Sequence, residues 1–249
     1  MNKVKLLVLS PHADDAVFSA FDHMMYWAKN RYDITICTIF STFASNILSR
    51  DAETYMKLSG CMNVFELQRL RMKEDAEALA YMHVKYISPN LTDGLFRSNN
   101  QTAFYTNYSD LFGDIISKFD TKTRKILSTY LQQIERRYDY IVTPLGIGNH
   151  VDHRLTTLCS SSVIDAAKLL YYCDMPYAFH IRNWKKQLSE KIDNHKVSIK
   201  FTSTRKKICM EYYRSQKSLL IRNERVFFFS NRFMFFPEII YYPIAWSNK

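Results

Sequence analysis

Residues 4–10, VKLLVLS, form a short, almost continuous apolar run, the pattern of a strand buried on both faces. Val17, Phe18, Phe21, Met24, Met25 and Ala28 then recur at helical spacing and predict a helix over 16–30. Residues 33–40, DITICTIF, are β-branched and predict a second strand. An amphipathic pattern over 67–82 predicts a helix, and VKYIS over 84–88 a third strand. A helix over 115–137 leads to a fourth strand over 140–143, stopped by Pro144. A helix from about 155 to 169 and a short strand over 170–173 complete the series. After Pro176 the pattern changes. A strand over 196–201 and a helix over 204–220, started by Ser203, precede an aromatic-dense segment, ERVFFFSNRFMFFPEIIYYPIAW. That segment is expected to be core or a hairpin packed on the domain. The alternative is an exposed aromatic surface for lipid or a second subunit.

Strands alternating with helices imply an α/β fold with a mostly parallel sheet covered on both faces. The expected division is a core over 1–175 and a smaller C-terminal elaboration of the same domain over 176–249. Ligand crevices in such sheets lie beyond the C-terminal ends of the strands. LSPHADD ends the first strand and TPLGIGNHVDH follows the fourth, so two distant polar clusters should meet in one crevice.

Composition supports a folded protein: 249 residues at 47% hydrophobic can bury a sizeable core. The five cysteines, at 37, 61, 159, 173 and 209, are scattered, odd in number and without a Cys-x-x-Cys pair. A reduced, cytosolic protein is expected. Lys3, Lys5, Asp14 and Asp15 argue against a secretory leader, and no stretch is long and apolar enough to span a bilayer. Charge is uneven. Residues 181–249 carry fifteen Lys/Arg against five Asp/Glu, and the first 180 hold nineteen of each. The basic quarter reads either as a solvated face or as a surface for an anionic partner, such as a phosphate-bearing substrate, a membrane surface or nucleic acid. No Gly-x-Gly-x-x-Gly or P-loop is present, which argues against a dinucleotide site.

The chemistry concentrates in His12, Asp14, Asp15, His150 and His153. Singly each has an ordinary explanation: an aspartate can cap the next helix, and His-x-x-His pairs arise by chance. Together, at strand ends, they form a metal-binding set. Zinc favours imidazole nitrogen and carboxylate oxygen, and a catalytic site keeps one position open for water.

These residues resemble those of the PIG-L/LmbE-like de-N-acetylases, zinc hydrolases that remove acyl groups from amino sugars and related conjugates. The first family motif, (A/S)-H-P-D-D before a helix, corresponds to Ser10, Pro11, His12, Ala13, Asp14 and Asp15, and the second, H-x-D-H, to His150, Val151, Asp152 and His153. Arg71, Glu74, Asp93 and Arg97 fit the pattern between them, and Lys207, Tyr213, Ser215 and Gln216 fit a later one. The resemblance covers most of residues 4–220. Two departures stand out: Ala13 where proline is commonest, and Ala16 where many members have glutamate. Some members place a tyrosine just before the second motif, where this chain has Gly146 and Gly148.

The resemblance implies a Rossmann-like, three-layer α/β/α fold. It implies His12, Asp15 and His153 as ligands of Zn2+, with Fe2+ as an alternative metal. It makes Asp14 the general base and a protonated His150 the group that stabilises the oxyanion. Arg71, Asp93 and Arg97 could reach the crevice to bind sugar hydroxyls or a phosphate, or be surface ion pairs. The expected reaction is removal of an N-acetyl group from an N-acetylglucosamine-type sugar on a larger, possibly phosphate-bearing, conjugate. Peripheral membrane contact is compatible with the sequence, and no nucleic-acid partner is expected. Competing readings are an amidase for a longer acyl or thiol-conjugate amide, a basic nucleic-acid-binding module, and a zinc binder without activity.

Overall fold

The computed structural model describes residues 3–43, 45, 47–113, 120–180, 192, 195–216, 237–244 and 246. Its centre is a seven-stranded sheet. The strands are β1 (Lys5–Ser10), β2 (Asp33–Thr38), β4 (Lys85–Ile87), β6 (Tyr140–Pro144), β7 (Leu169–Tyr172), β8 (His195–Lys200) and β9 (Glu238–Pro243), in spatial order β4-β2-β1-β6-β7-β9-β8. The first five are parallel, and β9 runs antiparallel to both β7 and β8. β3 (Phe40–Thr42) and β5 (Leu91–Thr92) form a separate two-stranded sheet at the end of β2. The helices of the fold are α1 (Asp15–Lys29), α2 (Arg50–Leu58), α3 (Val64–Met82), α4 (Thr121–Ile134), α5 (Val151–Val163), the short α6 (Tyr177–His180) and α7 (Thr204–Met210). The result is the expected three-layer α/β/α arrangement.

Leu6, Leu7, Val8 and Leu9 are fully buried, which explains why β1 reads as an unbroken apolar run at the sheet centre. Each such side chain contributes roughly 1.5–3 kcal/mol relative to exposure. On α1, Val17, Phe18, Phe21 and Met24 cover the sheet.

Several elements differ from the sequence expectation. The predicted second strand breaks after Thr38, and Phe40–Thr42 leaves for the small sheet. α2 was not foreseen; Ser49 caps it, accepting from the Ala52 amide. α3 begins three residues earlier than predicted because Asn63 accepts from the Glu66 amide while Glu66 accepts from the Met62 amide. α5 starts at Val151 and not near 155, since His150 itself caps it. Ser203 caps α7 as expected, but that helix ends at Met210. Residues 115–119 of the helix predicted over 115–137, 217–220 of the last helix and much of the aromatic segment lie outside the described residues. Within that segment, Glu238–Pro243 forms β9, seated in the sheet with Ile240 and Tyr241 buried.

Candidate active site

β1, β6 and β7 end on the same side of the sheet, and each delivers part of one polar cluster. From β1, Ser10 turns the chain into α1: its hydroxyl accepts from the Ala16 amide at 2.9 Å. Asp14 stands at the N-cap position, yet its side chain accepts no helix amide. Capping therefore does not explain it. Asp14 Oδ1 instead faces Arg71 of α3 at 3.3 Å. Asp15 folds back, accepting from the His12 amide at 2.8 Å.

After β6, the loop 145–149 carries Gly146 and Gly148 at φ +79° and +92°, where the left-handed backbone favours glycine. It brings His150 and His153 to the N-terminus of α5. His150 Nδ1 accepts from the Asp152 amide at 3.2 Å. His12, His150 and His153 have nitrogen atoms within 4.8 Å of one another.

Asp15 lies between two of these rings. Its Oδ2 is 3.2 Å from His12 Nδ1 and 3.2 Å from His153 Nε2. Donors on a tetrahedral ion at about 2.0–2.2 Å stand about 3.3–3.5 Å apart, so this spacing suits one metal. His153 Nε2 is also buried without a hydrogen-bond partner, an orphaned atom 3.2 Å from that oxygen. The residues present thus fit a divalent metal.

Carboxylates stand behind both rings. Asp152 Oδ2 meets His12 Nε2 at 2.9 Å, and Asp174 Oδ1 meets His153 Nδ1 at 2.6 Å. Asp174 follows β7 and is itself held by the Gly146 and Ile147 amides at 2.9 and 3.1 Å. Asp152 accepts from the Gly94 amide at 2.9 Å and is paired with Arg97. Metal-ligating histidines usually carry such a carboxylate on the other ring nitrogen, which fixes tautomer and orientation. Sequence reasoning gave no role to Asp152 or Asp174. The signal for Asp174 was its position directly after a strand end, and for Asp152 its place between the two histidines.

Without a metal the cluster gathers protons. Burial pushes His153 down, but the charge of Asp15 close by and the bond to Asp174 outweigh it and bring it up to about 9. Burial likewise opposes the charged form of His12, yet Asp15 and Asp152 hold it well above its usual value. Burial would raise Asp15, but His153 and His12 hold it far below the carboxylate range. His150 behaves oppositely: burial, then the charge on His12, pushes it well below the ordinary imidazole value. In the metal-free cluster these causes favour the neutral ring, against the expectation of a protonated His150. With Nδ1 accepting, its proton sits on Nε2, and that N–H is the available donor.

Arg71 and Asp93 line a narrow cleft beside His12, together with Ala13, Phe40 and Phe43. Asp93 Oδ2 is 3.5 Å from His12 Nε2. Arg97 is placed differently. Its guanidinium is buried behind the cleft between Asp152 and Asp120, and Tyr105 donates to Asp120 in turn. The late motif buttresses α3: Ser215 binds Glu74 through its amide and hydroxyl at 2.8 and 2.7 Å, and Tyr213 donates to Asp75 at 3.0 Å. Glu74 lies 3.6 Å from Arg71, which connects this scaffold to Asp14. A larger groove, about 450 Å³, lies along α3 near Lys73, Glu77 and Arg214 and contains none of the histidines.

A mostly parallel sheet with a histidine–aspartate metal pocket at its strand ends defines a metallohydrolase-like class of site. The GlcNAc-PI de-N-acetylase (PIG-L) family model matches residues 7–166, and the chain belongs to that family. A 2'-N-acetylparomamine deacetylase from Niallia circulans is 24% identical over 192 residues, covering 71% of this chain and 68% of that protein. Among solved structures, the zinc-inhibited form of a teicoplanin deacetylase superposes with a TM-score of 0.71 at 20% identity, covering 96% of this chain and 97% of the other. The deacetylase of the A40926 pseudoaglycone gives a TM-score of 0.68 at 22% identity over the full length of both chains. These structures share the fold. Among the described residues, no helix is long and apolar enough to cross a membrane.

Proposed function

We propose that the protein is a zinc-dependent deacetylase that removes the N-acetyl group from an N-acetylglucosamine-type amino sugar carried on a larger conjugate. The observation that carries the reading is the paired arrangement of His12 with Asp152 and His153 with Asp174, both rings converging on one oxygen of Asp15. Membership of a de-N-acetylase family and similarity to a deacetylase acting on an acetylated amino sugar support the substrate class.

His12, Asp15 and His153 would hold the metal. When bound, the metal polarises the amide carbonyl and lowers the pKa of water to about 7. Asp14, adjacent to the ligands and oriented by Arg71, takes a proton from the attacking water. It then returns that proton to the departing amine nitrogen. His150 donates its Nε2–H to the oxygen that becomes negative in the tetrahedral state. The aspartates divide the work because one carboxylate cannot serve well as both ligand and base. Arg71 and Asp93, at the cleft wall, offer a cation and an acceptor to the sugar. The products are acetate and a free amine.

The test is amine release from 2'-N-acetylparomamine and from N-acetylglucosamine conjugates by zinc-loaded protein. Asp14→Asn should abolish release while retaining metal. Full activity in that variant with zinc bound would reject Asp14 as the base.

A further inference from the structure

Gly148 and Tyr177 are 29 residues apart, yet one makes room for the other. A Cβ built on Gly148 would stand 2.6, 2.7 and 2.8 Å from Tyr177 Cβ, Cγ and Cδ1, far inside contact distance. The Tyr177 ring begins α6, just beyond Asp174, and packs edge-on against His153 with centroids 5.2 Å apart. It lies 6.4 Å from His150 and 6.1 Å from Phe112. Phe112 reaches His150 from another side, 5.2 Å away and nearly perpendicular. The loop before the second histidine motif carries no tyrosine, but an aromatic side chain arrives there from elsewhere in the chain.

This matters because, among the described residues, one hydrogen bond, from the Asp152 amide to Nδ1, is the polar anchor of the His150 ring. A single anchor at 3.2 Å leaves the ring free to swing about its side-chain torsions unless packing restrains it. Phe112 and Tyr177 supply that packing, together with the rings of His12 and His153 at 5.0 and 5.5 Å. We infer that Tyr177, admitted by Gly148, acts with Phe112 as an aromatic clamp that positions His150 with its Nε2–H facing the reacting carbonyl.

The inference rests on the deacetylase reading for its effect on rate, but the clamp can be observed without turnover. The clamp acts through the ring, so the hydroxyl is dispensable and the glycine is not. The experiment uses 15N-histidine-labelled protein, zinc-loaded and zinc-free, and reads the ring-nitrogen correlations of His150. His23, buried against Glu238 and remote from the site, reports on folding. The wild type should show one Nε2–H tautomer for His150. Tyr177→Ala should broaden or split that signal and lower kcat by about 10- to 100-fold with KM nearly unchanged. Tyr177→Phe should restore both. Gly148→Ala should mimic Tyr177→Ala. Because the Tyr177 Cβ that stands 2.6 Å from the added methyl survives in Tyr177→Ala, the relieved background is Tyr177→Gly, where Gly148→Ala should cost less than about twofold more.

That last comparison separates clamp from strain, because an alanine at φ +92° is strained whatever stands beside it. Equal cost of Gly148→Ala in both backgrounds would overturn the inference. So would an unchanged His150 signal with unchanged kcat in Tyr177→Ala. If Tyr177→Ala loses the His23 signal, Tyr177→Leu replaces it. If wild-type protein releases no amine from 2'-N-acetylparomamine or N-acetylglucosamine conjugates, the deacetylase reading falls, and the His150 spectra still decide the clamp.

Discussion

Asp14 and Asp15 are adjacent in the chain but have different surroundings. Asp15 shares one oxygen between two imidazoles, whereas Asp14 faces a guanidinium across the cleft. This separation predicts different losses on mutation. Asp14→Asn should lower kcat by about 10²–10⁴-fold with metal content intact, measured by single-turnover acetate release and metal analysis. Asp174→Asn should act through His153 and weaken metal binding by about 10- to 100-fold, read by competition with a chelating dye. The histidines also predict a pH dependence. In metal-free protein His153 titrates at about 9, above its unfolded value near 6.5, so its stabilising contribution is complete below about 6.5 and lost as pH rises through about 9. Metal competes with those protons. Zinc binding at pH 7 should therefore release protons, and affinity should rise with pH toward about 9, both measurable by calorimetry in buffers of different ionisation enthalpy. Of this site, His12, Asp14, Asp15, His150 and His153 were legible, because motif spacing and strand ends locate them. Asp152 behind His12 and Asp174 behind His153 were not, since such pairs form across elements distant in sequence.

At the scale of elements, the alternating apolar pattern was legible where burial was complete, as in β1 and α1. It failed where local capping set the boundary. α5 begins at Val151, capped by His150, four residues before the apolar spacing suggests, and that shift places His153 in the first turn, 3.2 Å from Asp15. The order of the last strands was also hidden. β9 enters the sheet beside β7 partly because Glu238 is buried against Lys206 at 2.8 Å, His23 Nδ1 at 3.0 Å and the amides of Asp22 and His23. No period in the sequence reveals a buried ion pair between β9 and α7. Burial would raise Glu238, but Lys206 and His23 hold it down at about 2. A depressed carboxylate stabilises the fold above its unfolded value of about 4.3, and that contribution should fade as pH falls from there toward 2. Glu238→Gln should leave Lys206 buried without its counter-charge and cost about 3–5 kcal/mol in urea unfolding. Loss under 1 kcal/mol, a small fraction of that range, would show that β9 docks without this pair.

For the molecule as a whole, the fold places three strand ends and two helix N-termini around one pocket. Helix N-termini favour negative charge, which suits both the carboxylates in the first turns and an oxyanion forming nearby. The parallel sheet supplies rigidity, so histidines from β1 and α5 stay aligned without a local connection between them. The basic C-terminal quarter contributes Lys206 to the interior. The most direct measurement of the central claim is metal content paired with amine release by the same sample. Protein purified without chelator should carry one divalent metal per chain, release amine from an acetylated amino sugar, lose both on dialysis against chelator, and regain both with Zn2+. Protein that contains no metal and takes up none, or that releases amine equally well after the metal is removed, would contradict it.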